Sequence, residues 1–360
     1  MFDVAIVGGG PAGSSCAAFC AMAGLRTLLL ERATFPREKV CGDCLNPASW
    51  PILRRLALAE RLRAFPHAKL HRLELIGISG RRLSVELPGG DDAEIAIKRS
   101  LLDDLLLRRA QELGATVFEN TTVTALTPPD PRTQHWSISS GEQSFRSRAL
   151  VAADGRNSTV ARLCGLLPRS AKERIALQTH LPLPAGFGER VVLEFRPEGY
   201  SGQAPVRGGE LNLCLVSVPD KIAALRQWAE ARFEIPAGHS WRTITPLRRA
   251  PIPAGQGSLF LVGDAARVVE PFTGEGIYYA LASAELAARA ILFQCNGQGA
   301  EEVSAAYSAA HRQLYRGRLW INRLARAAVL SPRAASMLLE ALRFQPGVLR
   351  FLTGKITGKP

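Results

Sequence analysis

Glycines 8, 10 and 13, in the run Gly8-Gly9-Gly10-Pro11-Ala12-Gly13, have the GxGxxG spacing of a turn that holds a pyrophosphate. Gly8 permits the tight turn. Gly10 lets the backbone approach phosphate oxygens, and Gly13 lets a helix lie close on a strand. A helix starting at Pro11 aims unpaired N–H groups and its positive dipole end at the phosphates. Glu31 stands 18 residues past Gly13, where its carboxylate can accept hydrogen bonds from a ribose, and Arg32 follows it.

Other residues separate a flavin from a nicotinamide cofactor. Gly263-Asp264 follows the apolar run Leu259-Phe260-Leu261-Val262, so Asp264 can reach the ribityl hydroxyls of a flavin. Pro271-Phe272-Thr273-Gly274-Glu275-Gly276 opens a helix that continues through Ile277. Its glycines would let backbone N–H groups approach the ring where negative charge gathers on reduction. Asp154-Gly155 ends another apolar run, with Ser158 suited to cap the helix after it. Arg99 opens a helix and could reach the pyrophosphate or the ring. The cofactor expected is FAD.

Cys41 and Cys44 form a CxxC. Three roles are open to it: lining a substrate cavity or donating a proton, packing, or shuttling electrons as a dithiol. No second cysteine pair or nearby histidine completes a tetrahedral site, so no metal is expected. The six histidines are scattered and read as structural. Cys16 and Cys20 fall four apart on a helix and read as core.

These groups need a frame. Residues 2–7 are a short β-branched apolar run ending in glycine, which reads as a buried parallel strand. Residues 11–23 read as a buried helix with Pro11 in its first turn. Residues 26–31 read as a second strand, closing a βαβ opening. Helices are expected over 50–63, 98–113, 158–164 and 274–293, hairpin strands over 70–97, and further strands over 115–127, 136–139, 149–154 and 258–262. The fold class is α/β: a Rossmann-like, three-layer nucleotide domain from 1–70, 97–165 and 255–295. An antiparallel-sheet substrate domain (71–96 and 166–254) is inserted into it, and a helical basic region (296–360) follows.

The chain has 360 residues, 47% apolar and 21% charged, which is ordinary for a globular protein. It shows no secretory pattern and no run of roughly 18 apolar residues, so a cytoplasmic location is expected. Seven cysteines, an odd number, argue against a disulfide framework. The net charge of +13 is uneven: residues 311–360 hold ten Lys or Arg against the single acid Glu340. No nucleic-acid signature accompanies it. The tail alternates Leu, Ala, Trp and Phe with Arg. It can cover the flavin domain, or it can lie on the inner face of an anionic membrane as a peripheral contact.

Together, the Gly8–Gly13 turn with Glu31, Asp154-Gly155, and Gly263-Asp264 with residues 271–276 resemble the glutathione-reductase-type FAD superfamily. The likeness is to its para-hydroxybenzoate hydroxylase branch. Lys39-Val40-Cys41-Gly42 and Glu270 to Ile277 are most similar to the geranylgeranyl reductase family. The resemblance implies that Lys39, Gly42 and Val123 join the flavin contacts and that Cys41 faces the flavin. It places Tyr200, in the run Gly199-Tyr200-Ser201-Gly202, within the substrate sheet. It implies reduction of C=C bonds in a small hydrophobic, polyprenyl or polyene-like substrate, with Cys41 or Tyr200 near the proton donor. The alternative is a monooxygenase that hydroxylates an aromatic, quinone or polyketide substrate through a flavin C4a-hydroperoxide. NAD(P)H or another reductant would supply electrons. The Trp-x-Trp signature of flavin halogenases is absent.

Overall fold

The computed structural model describes residues 1–168, 174–206, 208–245, 249–269 and 274–316. The first strand, β1 (Phe2–Val7), enters the glycine turn and leads into helix α1 (Pro11–Met22) and strand β2 (Thr27–Leu30). Val4, Ala5, Ile6 and residues 28–30 lose almost all their solvent contact, worth about 2 kcal/mol for each large side chain. They read as unbroken apolar runs because both faces of the sheet are covered here. Parallel pairing runs from Thr116–Phe118 through β2, β1 and Gln143–Ala152 to Leu259–Leu261. Trp136–Ser140 and Ala125–Thr127 add an antiparallel flap to the near end of the 143–152 strand.

α1 is buried almost all round, since its small side chains let three neighbours approach. It packs against Arg99–Glu112 and Gly276–Cys295 as well as the sheet. Cys16 and Cys20 lie wholly in this core. The helix Gly276–Cys295 has the length and composition to cross a membrane, but two thirds of its most apolar stretch (67%) is buried inside the protein.

A second sheet is inserted. Its strand order is 242–244, 175–182, 210–217, 199–206, 190–196, 72–76 and 82–86. Neighbours are antiparallel except Arg190–Arg196 with Arg72–Ile76, which run parallel in the register Arg190 to Arg72. A three-stranded patch of Cys44–Leu45, Ile95–Ala96 and Ala68–Lys69 joins the two sheets. The architecture is thus a Rossmann-like α/β domain carrying an inserted, mostly antiparallel sheet and ending in the helices Gly276–Cys295 and Ala300–Leu314.

Two local expectations need correcting. Residues 50–63 do not form one helix but two, Trp50–Arg55 and Ala59–Ala64. Ala57 between them adopts φ +55°, which turns the chain so that Leu56 and Leu58 are both buried. The helix Ile222–Arg232, unanticipated, buries Leu225 and Ala229 against the second sheet. Most of the basic tail, residues 317–360, lies outside the described residues.

Candidate active site

A single chamber of about 680 Å³ runs from the glycine turn to the inserted sheet. At one end Gly8 adopts φ +105°, and a Cβ there would sit 2.6 Å from the carbonyl oxygen of Ala153. A Cβ on Gly13 would lie 1.7 Å from the Gly8 carbonyl oxygen, so α1 can begin this close to the sheet only with glycine. Gly8, Gly10, Pro11 and Ala12 line the chamber, whereas Gly13 packs beneath it. The helix begins without a side-chain cap and with no acid in its first turn, leaving its first N–H groups for an anion.

Glu31 is buried at the end of β2. Its two oxygens accept the N–H groups of Gly9 at 2.6 Å and Ala33 at 2.8 Å. This fixes the carboxylate at the chamber wall, with lone pairs left for a ribose. Arg32 and Val123 line the same end. Asp154 caps the helix Thr159–Leu163 by accepting from the Val160 N–H at 3.0 Å, beside Ser158, which accepts from Ala161 at 2.9 Å. Burial raises the Asp154 carboxyl above its usual range. Asp154 and Gly155 both face the chamber.

Gly263 donates its N–H to Ser283 Oγ at 2.9 Å, which ties this turn to the helix behind it. Asp264 lines the chamber and receives Arg156 Nη2 at 3.1 Å. Arg249 braces the turn from below, donating to the carbonyl oxygens of Asp264 and Ala265 at 2.6 Å each. Gly274, Gly276 and Ile277 also line the chamber. Glu275 does not; it is buried, with the Tyr279 hydroxyl at 3.3 Å. Pro271 lies outside the described residues.

The Cys41–Cys44 loop is docked on the inserted sheet. The Cys41 carbonyl accepts from Asn212 Nδ2 at 2.8 Å and Cys214 Sγ at 3.3 Å. Asp43, in the left-handed region at φ +57°, is buried and meets His180 Nε2 at 2.8 Å. Burial raises the Asp43 carboxyl, with His180 opposing. Cys41, Gly42 and Cys44 line the chamber, and both cysteines are free thiols. Burial pushes both thiols up, that of Cys41 against the pull of Arg99, so both are neutral near pH 7. Tyr200 lies on the substrate-sheet wall, its ring 6.3 Å from that of Phe195.

Arg99 faces the chamber but spends two donors on Asp103, at 2.7 Å each, and its charge also acts on the Cys41 thiol. Arg37, not anticipated, reaches Asp103 at 3.3 Å and stacks over Phe35. Burial, then Arg37, Arg99, Arg156 and Arg32, lower Lys39 to about 8.

The set fits a flavin dinucleotide: an uncapped helix start, a fixed carboxylate at the end of β2, and a cationic wall for a diphosphate. An anion placed among these cations raises the Lys39 pKa again. FAD affinity is therefore expected to be full below about pH 8 and to fall as pH rises through about two units above it. Lys39→Met should flatten that profile; a pH-independent Kd for the unmodified protein, measured by flavin fluorescence, would sink the idea.

Two further groups carried no sequence signal. His180 meets Asp43 only through the fold. Glu94, the residue before Ile95–Ala96, lines the chamber, and burial raises its carboxyl to about 7.

The sequence matches the family described as FAD binding domain over residues 1–186 and 223–317. It is 30% identical over 315 residues to menaquinone reductase of Mycolicibacterium smegmatis, covering 79% of this chain and 75% of that protein. It is 29% identical to geranylgeranyl diphosphate reductase of Synechocystis, covering 82% and 76%. At 29% identity it spans only 63% of the length of Conditioned medium factor receptor 1 of Dictyostelium discoideum, against 81% of this chain. The flavin-dependent brominase Bmp2 superposes with a TM-score of 0.81 at 22% identity, covering 98% of this chain and 93% of that one. That last likeness is one of fold. The relatives in sequence thus include menaquinone reductase and geranylgeranyl diphosphate reductase together with a flavin-dependent halogenase of Armillaria mellea, 28% identical and covering 85% of this chain and 70% of that protein, and the narrower geranylgeranyl reductase membership is not singled out.

Proposed function

This chain belongs to the FAD binding domain family, and from that premise we propose that it hydroxylates an aromatic or quinone ring seated in the apolar half of the chamber. FAD, when bound and reduced, supplies the two electrons with which O₂ is activated. NAD(P)H, bound transiently, is the proposed source of those electrons. The ring gains one oxygen atom, the other leaves as water, and the donor is oxidised to NAD(P)⁺ with uptake of one proton.

The observation that carries this reading is the size and lining of the chamber. About 680 Å³ must serve both cofactor and substrate. The far wall is apolar, with Ala176, Leu193, Tyr200, Val216 and Ile244 upon it. A ring suits that space better than a long chain. These residues bind the ring by burial and exclude water from the reacting atoms. Asp264 and Glu31 hold the hydroxyl-bearing parts of the cofactor, and the cationic wall holds its phosphates.

The test is NAD(P)H-driven turnover of naphthol and quinone rings, following O₂ uptake and product mass. One oxygen atom added per O₂ and per NAD(P)H is expected. A product two hydrogens heavier, formed without O₂, overturns it.

That outcome would mark the second reading, saturation of a C=C bond in an apolar substrate. The menaquinone and geranylgeranyl diphosphate reductases among the relatives favour it. In either case we place the protein in the cytoplasm, within reach of the inner membrane face through its basic tail.

A further inference from the structure

Glu94 is the carboxyl that intrudes on the apolar half of the chamber. Its residue is half-buried, and it is part of the chamber lining. A Cβ on Gly274 would be 3.9 Å from Glu94 Oε1, so the carboxyl stands beside the turn expected to run along the flavin ring. Its main-chain carbonyl is held by the Leu70 N–H at 2.9 Å, and Ile95 after it is paired in the small sheet. The backbone is therefore fixed while the side chain is not engaged. Among the described residues, no hydrogen bond or ion pair reaches the carboxyl.

Among the described residues, none offers the carboxyl a counter-charge. Burial is the one cause of the upward shift of the carboxyl to about 7. The titratable neighbour it senses is Cys44 on the adjoining strand, whose thiol is raised by burial first and by Glu94 next. A partly buried carboxyl without a partner gains from a ligand that brings it a hydrogen bond. The cationic wall lies elsewhere: Lys98, the basic residue nearest in sequence, is taken by Glu210.

We propose that Glu94 is the substrate-recognition residue of the chamber, accepting a hydrogen bond from an O–H or N–H on an otherwise apolar ring. The substrate class is then a neutral phenol, naphthol, hydroquinone or ring N–H compound, and ring carboxylates are rejected. The inference rests on the ring-hydroxylation reading and adds the group by which the ring is chosen.

The experiment uses the FAD-loaded protein and three probes: 2-naphthol, 2-methoxynaphthalene and 2-naphthoate. Binding is read from the change each makes in the flavin absorbance spectrum, with no turnover required. The unmodified protein should hold 2-naphthol about tenfold or more tighter than its methyl ether and than 2-naphthoate, as expected for a hydrogen bond to an ionisable group. Glu94→Leu should bring the naphthol-to-ether ratio close to one while keeping full FAD content. Should Glu94→Leu fail to retain FAD, Glu94→Gln carries the test, because it keeps one acceptor oxygen and should lower the ratio about threefold. An unchanged ratio in the variant that retains FAD overturns the proposal. So does equal binding of naphthol and ether by the unmodified protein; in that case O₂-dependent hydroxylation of either probe would leave the broader reading standing. Failure of all three probes to perturb the flavin overturns both.

Discussion

Gly13→Ala yields a protein that purifies without flavin. The added methyl carbon would lie 1.7 Å from the carbonyl oxygen of Gly8 and 3.0 Å from Ala153 Cβ. The first contact is with backbone, so no side chain can rotate away to relieve it. α1 cannot retreat either, because Ser14, Ser15, Cys16 and Ala17 are buried against its neighbours. The turn that must meet the phosphates is what gives way. A stability loss of about 3 kcal/mol is expected from overpacking alone. The readout is the ratio of flavin to protein absorbance, with a denaturation curve alongside. Gly24→Ala is the control: its Cβ meets nothing within 4 Å, so it should keep its colour despite the cost of φ +79°. A yellow Gly13→Ala protein with full FAD content would refute the account of the turn.

Arg99→Leu should cost about 3 kcal/mol of stability and weaken FAD binding besides. Asp103 has no solvent contact, and two of its hydrogen bonds come from Arg99 at 2.7 Å. Arg37 alone, at 3.3 Å, would be left to balance a buried carboxylate. Removing both partners separates the two effects. Arg99→Leu with Asp103→Leu should recover most of the stability, since the wholly buried carboxylate is gone and Arg37, which keeps some solvent contact, is the one charge left without that partner, but not the FAD affinity. Urea denaturation and flavin titration of the two singles and the double measure this. Equal losses in the single and the double would show that the ion pair is not the source.

The glycine turn was legible in the sequence because its constraint is local: position 13 admits no side chain whatever the rest of the chain does. Glu31 could be read for the same reason, being fixed by strand length and turn. Ala57 was not legible. Nothing in Leu56-Ala57-Leu58 announces a left-handed residue, and the turn exists only because both leucines are drawn into the core. His180 and Asp43 are separated by most of two domains' worth of chain, and neither carries a spacing signal. Glu94 gives no sign in sequence either, since an acid after Gly-Gly-Asp-Asp-Ala reads as part of a polar turn. What sets it apart is the wall it faces. The thiols of the CxxC, with three roles open in sequence, are placed by the fold in the chamber lining, Cys41 within the field of Arg99 and Cys44 within that of Glu94.

The parallel register of Arg72–Ile76 with Arg190–Arg196 has a consequence for how the chain is made. On the ribosome the hairpin 72–86 emerges long before its partner strand does. Until then it offers an unpaired edge, with Leu73 and Leu75 lacking the wall they later join. Meanwhile the α/β elements over 97–165 are synthesised and can begin to pair with β1 and β2. The waiting hairpin is thus the part of the nascent protein most open to aggregation and to chaperone capture.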